Sequence, residues 1–156
     1  MISQAVEYSL RAMVLLTQSH DIPVTVQSIA ERGQIPAPYL AKLLQGLTRA
    51  GLVRSQRGVG GGYLLTLTSD KISLADVVNA IEPLQRIKKC PLGISGHLAL
   101  CPLHRKLDQA LATIEEAFQS TSLFDLCEQS GGTIPLCSSP PMVTLNIGLT
   151  TPKPVN

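Results

Sequence analysis

Apolar positions in the first half of the chain recur at helical spacing, interrupted by short polar and glycine-bearing intervals. Val6, Leu10, Met13, Val14 and Thr17 line one face of residues 2–18, which predicts an amphipathic first helix. Pro23 ends the loop that follows. Thr25 can cap a short helix through Arg32, with Gly33 as its expected stop. Ile35-Pro36 should be extended, because the proline ring crowds the helical conformation of the residue before it. Ala37 or Pro38 can then open a third helix. Leu40, Leu43, Leu44 and Leu47 form its apolar stripe; Pro38, Lys42, Gln45 and Arg49 lie opposite, and Gly51 closes it.

The pattern changes after Gly51. Two short apolar runs flank a turn containing Gly58, Gly60, Gly61 and Gly62, with Arg57 at its entrance. Glycine accepts positive φ and lets other backbone approach closely, so residues 51–66 read as a β-hairpin with an exposed tip. Further on, Ser73 caps another short helix with Asp76 at its third position, and Pro83 ends it. Residues 84–101 lack a period and contain Pro91, Gly93 and Gly96, so they form a loop. Loops of that length usually carry function. Pro102 can start a long helix to about Ser120, striped by Leu103, Leu107, Leu111, Ile114 and Phe118. With so small a domain beneath it, pairing with the same helix of a second subunit accounts for this stripe. A last short helix runs from Ser122, with Asp125 three residues on, to Gln129.

These elements predict a mostly α-helical fold with a small β-hairpin. A winged helix-turn-helix domain spans 1–83, a sensor or cofactor loop 84–101, and a dimerisation helix with a short terminal helix 102–130. Residues 131–156 hold five prolines and a single charge, and are expected to be a disordered tail. Within it, Met142–Leu149 is apolar enough to add as a strand.

Composition narrows the function. Aromatic residues make up 3% of the chain and Trp is absent, so the core must be aliphatic. No run of about 18 apolar residues is present, against a membrane span. Glu7 and Arg11 interrupt the N-terminal apolar face, against a signal peptide. The expected location is cytoplasmic, where the four Cys are thiols or metal ligands rather than disulfides. The net charge of +2 is uneven: residues 1–65 carry a balance of +3, residues 66–130 one of −2.

Helix, short helix, turn, helix, hairpin is the order of a winged helix-turn-helix. Its second paired helix enters the major groove of double-stranded DNA, and its hairpin reaches the backbone or minor groove beside it. Taken alone, the polar face of residues 38–49 would read as an ordinary solvated surface. The adjoining Arg57 and glycine turn reverse that. An enzyme is disfavoured, because nothing supplies an orienting group or oxyanion site for a Cys–His pair. Nor is the glycine turn a phosphate-binding loop, since no Gly-Lys-Ser/Thr follows it. A protein adaptor has no special need for Lys42, Arg49, Arg54 and Arg57 together.

The motifs Tyr8-Ser-Leu-Arg-Ala12, Ile29-Ala30, Ile35-Pro36, Tyr39-Leu40, Ala50-Gly51-Leu-Val53, Arg57-Gly58, Gly60-Gly61-Gly62-Tyr63 and Ile81-Glu82 together carry a family pattern. Over roughly residues 1–127 the chain resembles the Rrf2-type (BadM-type) winged-helix transcriptional regulators, which include the IscR, NsrR, RsrR and CymR groups. The resemblance implies a homodimer, often a repressor, on a palindromic operator, and a dimerisation helix that crosses to the partner. It implies that Arg57 enters the minor groove and that residues around Tyr39 and Lys42 approach bases and phosphates. Arginine suits a narrow, electronegative minor groove, and Gln45 is the best candidate for a base edge. The candidate DNA-contacting set is Thr25, Ser28, Pro38, Tyr39, Lys42, Gln45, Arg49, Arg57, Gly60, Gly61 and Tyr63.

Many iron–sulfur members of that family carry three cysteines in the loop before the long helix, some with a nearby histidine. Here Cys90 fits the first position and Cys101-Pro-Leu-His104 the last, while the middle cysteine is missing. The resemblance implies the metal ligands Cys90, Cys101, His104 and Glu7, the carboxylate coming from the partner subunit, with His97 as an alternative ligand. Two thiolates with nitrogen or oxygen donors suit a 2Fe-2S cluster; the same set suits zinc; and a metal-free, thiol-responsive loop also fits. The regulator would thus sense redox, iron or nitric oxide status through a cluster. The alternative is a cluster-free regulator responding through thiol chemistry, a small molecule or a partner protein. Cys127 is expected to be buried, and Cys137 to be an exposed thiol of no assigned role.

Overall fold

The computed structural model describes residues 2–91 and 100–128. Its elements are α1 (Gln4–Thr17), α2 (Val26–Gly33), α3 (Ala37–Arg49), β1 (Val53–Gln56), β2 (Gly62–Leu65), a 3-10 turn (Ser69–Lys71), α4 (Leu74–Ile81), α5 (Pro102–Gln119) and α6 (Leu123–Glu128). The expectations for the tail, for Met142–Leu149 and for Cys137 and His97 fall outside the described residues.

Local chemistry sets most of the helix boundaries. Ser3 and Thr25 accept hydrogen bonds from the amides of Val6 and Ser28, capping α1 and α2. Ser73 and Asp76 form a reciprocal capping box at the start of α4, and Ser122 and Asp125 make the same exchange ahead of α6. One boundary differs from expectation. The left-handed residue that ends α2 is Gln34, at φ 52°, not Gly33. Gly33 is buried, and a Cβ there would stand 3.0 Å from Ile35 Cδ1 and 3.3 Å from Leu15 Cδ1. Packing, rather than chain reversal, calls for glycine at that position.

β1 and β2 pair antiparallel from Val53↔Leu65 to Gln56↔Gly62. A third backbone joins them: Tyr63 N–H donates to Val24 at 2.8 Å, and Val24 N–H donates back at 3.0 Å. The hairpin is thereby fastened to the loop that precedes α2. Beneath it lies an aliphatic core in which Met13, Leu15, Ile29, Leu40, Leu44, Leu47, Val53, Ile72, Val77 and Leu123 are the large, fully buried side chains.

Leu123 N–H donates to Ile72, and Leu74 N–H to Thr121, both at 2.9 Å, so α6 folds back onto the start of α4. Helix α5, which links the two, has no fully buried residue. Leu103, Leu107 and Ile114 stay exposed along it, at 64, 47 and 41%. Cys127 is half-buried rather than buried; that burial, with Glu128 beside it, pushes its thiol upward. Among the described residues no helix is long and apolar enough to cross a membrane.

Candidate nucleic-acid interface and cysteine pair

Because Leu40, Leu43, Leu44 and Leu47 are committed to the core, α3 presents Pro38, Tyr39, Lys42, Gln45 and Arg49 outward, and all five are exposed. Thr25 is exposed and Ser28 half-buried at the head of α2. Tyr39 is braced from α1: its ring meets Tyr8 edge-on, with centroids 5.9 Å apart. The Arg11 guanidinium lies 5.5 Å over Tyr8, pairs with Glu7 at 2.6 Å and donates to the Gly33 carbonyl at 3.0 Å. An aromatic ring held in this way loses little freedom when a partner binds beside it.

Beyond Arg49 an open groove of about 350 Å³ separates α3 from the hairpin, lined by Gln45, Thr48, Arg49, Ser55 and Tyr63. The glycines at the hairpin tip divide by role. Gly58 and Gly60 adopt φ 100° and 75° in open space. A Cβ on Gly61 would fall 2.4 Å from the Gln56 carbonyl oxygen, and one on Gly62 equally close to that of Val24. Backbone geometry therefore dictates Gly60 and Gly61 whatever they touch. Sequence reasoning passed over Val59, the fully exposed apolar residue at the tip. Its only signal was its place between two turn glycines.

Lys42, Arg49, Arg54 and Arg57 are exposed, and none takes part in an ion pair among the described residues. Uncompensated cations on one helix and its adjoining hairpin are the electrostatic footprint of a phosphate-binding face.

At the opposite end of the sequence pattern, Cys101 occupies the cap position of α5 and His104 follows within its first turn. Cys101 Sγ lies 3.1 Å from His104 Nδ1, and Cys90 Sγ 3.9 Å from the same nitrogen. Both thiols are half-buried. The structure thus brings two of the expected donors, the thiols of Cys90 and Cys101, to the imidazole of a third, His104. Glu7 is instead paired with Arg11. Among the described residues no group of three or more His, Cys, Asp or Glu is arranged to hold a metal ion. The soft donor chemistry suits iron–sulfur or zinc, but a complete shell needs donors beyond those described here.

Comparison with known proteins decides the family. A family model described as an iron-dependent transcriptional regulator, Rrf2, matches residues 2–129. The chain belongs to the Rrf2 family. A candidate HTH-type transcriptional regulator of Synechocystis sp., slr0846, is 49% identical over 76 residues, 48% of this chain and 52% of that relative, so the chain spans about half of its length. Among solved structures, T. potens IscR superposes with a TM-score of 0.70 at 29% identity, covering 83% of this chain and 88% of the other. CymR, the global cysteine regulator of B. subtilis, gives the same TM-score and identity, covering 83% and 97%.

Rrf2 proteins are DNA-binding transcriptional regulators rather than enzymes. The hairpin of this Rrf2 chain accordingly takes the place of the wing in a winged-helix fold, with α2 and α3 as its helix-turn-helix pair. IscR and CymR, two groups named from sequence motifs, are both among the structures that this fold matches.

Proposed function

We propose that this Rrf2 chain is a cytoplasmic, homodimeric transcriptional repressor that reads a palindromic operator with α3 in the major groove and Arg57 in the minor groove. The observation that supports this best is the set of uncompensated cations, Lys42, Arg49, Arg54 and Arg57, spread over α3 and the wing. Lys42 and Arg49 would contact phosphates, which sets register, and Gln45 a base edge. Arg57→Ala should weaken operator binding about tenfold and reduce the dependence of affinity on salt, measured by titration at several ionic strengths. Binding that ignores both salt and Arg57 would sink the reading.

For the signal, the proposed ligand set is Cys90, Cys101, His104 and the partner's Glu7, with His97 as the alternative. A bound 2Fe-2S cluster would supply a group sensitive to oxidants, iron supply and nitric oxide. The chain's own part is to hold Cys90 and Cys101 against His104 at the head of α5. Movement there changes the separation of the two reading heads, a shift between pre-existing states. Anaerobically purified protein should be coloured, with the absorption lost in Cys90→Ala or Cys101→Ala.

The contact between Cys101 and His104 and the likeness to CymR favour a second reading. In it, the cysteine pair responds as thiols, without metal. A colourless, iron-free dimer that binds DNA competently would decide for that reading.

A further inference from the structure

From Pro83 to Cys90 the chain has no regular secondary structure, yet hydrogen bonds centred on Arg86 hold it on α5. Arg86 donates through Nε and Nη2 to the two carboxylate oxygens of Asp108, each at 2.7 Å, and through Nη1 to Glu115 at 3.2 Å. Asp108 Oδ1 also accepts the amide of the next residue, Ile87, at 2.9 Å. One carboxylate thus grips two consecutive residues of the connector, by side chain and by backbone.

The position of this grip matters. Asp108 lies one helical turn after His104, and Glu115 two turns after Asp108, so all three share a face of α5. His104 is the residue that both thiols approach. The clamp is therefore anchored one turn from the imidazole, and its free end leads in four residues to Cys90. Among the described residues, the connector's hydrogen bonds to α5 are those of Arg86 and Ile87 and the contact of Cys90 with His104. Exposed ion pairs are commonly weak. This one differs in being a two-pronged fork on a carboxylate whose side chain is only 18% exposed, with a third arm to Glu115.

We propose that Arg86 is a positioning residue: its fork on Asp108 and Glu115 seats Cys90 beside His104 and Cys101, and couples the state of the cysteine pair to α5. The seating rests on geometry alone; the coupling rests on the regulatory function proposed above. An arginine is required because lysine keeps the charge but cannot present two parallel donors.

The test uses the full chain with Cys127→Ser and Cys137→Ser, leaving Cys90 and Cys101. Equilibration with reduced and oxidised glutathione measures how readily the pair closes: the two thiols give up two protons and two electrons, and one oxidised glutathione becomes two reduced ones. The effective concentration of Cys90 for Cys101 should fall about fivefold or more in Arg86→Met and Asp108→Asn, and less in Arg86→Lys. In the same variants the ratio of operator affinities between dithiol and disulfide forms should move toward one. Circular dichroism identifies a variant that has not folded, and Asp108→Asn or Arg86→Lys then carries the measurement. An unchanged effective concentration in the folded variants overturns the proposal. A fall in that concentration, with wild-type operator affinity equal in both forms, upholds the seating and overturns the regulatory reading beneath the coupling.

Discussion

Gly62 and Gly60 stand two residues apart in the same turn but are constrained by different physics. A Cβ at Gly62 would overlap the Val24 carbonyl, which is half of the bridge that fastens the wing to the body. Gly62→Ala should therefore destabilise the protein by roughly 2–4 kcal/mol, since backbone rather than a mobile side chain must give way. Gly60→Ala meets nothing within 4 Å and carries only the strain of φ 75°, about 1 kcal/mol. Urea denaturation of both variants checks the ranking, and equal losses would contradict it. In the sequence all four glycines look alike, because the turn is local. The clash that separates Gly62 from Gly60 comes from Val24, far upstream. For the same reason the sequence shows Gly33 only as the end of α2 and not as a packing site, since Leu15 is brought to it by tertiary structure.

At the scale of elements, legibility followed the range of the interaction. Both reciprocal caps, Ser73 with Asp76 and Ser122 with Asp125, close within three residues and were readable directly. The clamp on α5 was not, because Arg86 and Asp108 meet only once the chain has turned back along the helix. It has a consequence in acid. The Arg86 side chain hydrogen-bonded to Asp108 holds that carboxyl below its usual range, and the Ser122 amide does the same for Asp125. A carboxylate whose folded value is depressed stabilises the fold above its unfolded value, near pH 4, and that contribution disappears as pH falls through the folded value. Stability from these two groups should thus be level around neutral pH and decline in acid. Asp108→Asn should lower stability at neutral pH and flatten the acid decline in thermal melts recorded across that range. A variant with the wild-type acid slope would remove Asp108 from the account.

At the scale of the whole molecule, α5 is the helix that the described residues cover least. Leu103, Leu107 and Ile114 are exposed in a row on a helix that buries nothing fully, while α6 carries Leu123 back into the core. Such a stripe is what a two-fold helix pair would cover. Leu107→Glu should convert a dimer into a monomer in sedimentation velocity while leaving the winged-helix core folded. Operator affinity should fall with it, because two half-sites would no longer be read together. A variant that stays dimeric would place the subunit contact elsewhere.

The helices, the N-caps Thr25, Ser73 and Ser122, the wing and the basic face of α3 are legible in the chain alone, because each depends on residues a few positions apart or on one side of one element. Tertiary structure decided what lies between elements. It set Gly62 under Val24, Tyr8 against Tyr39, Cys90 beside His104, and Arg86 across α5. Those contacts join residues far apart in the chain, and no local pattern encodes which distant partner packing will bring into reach.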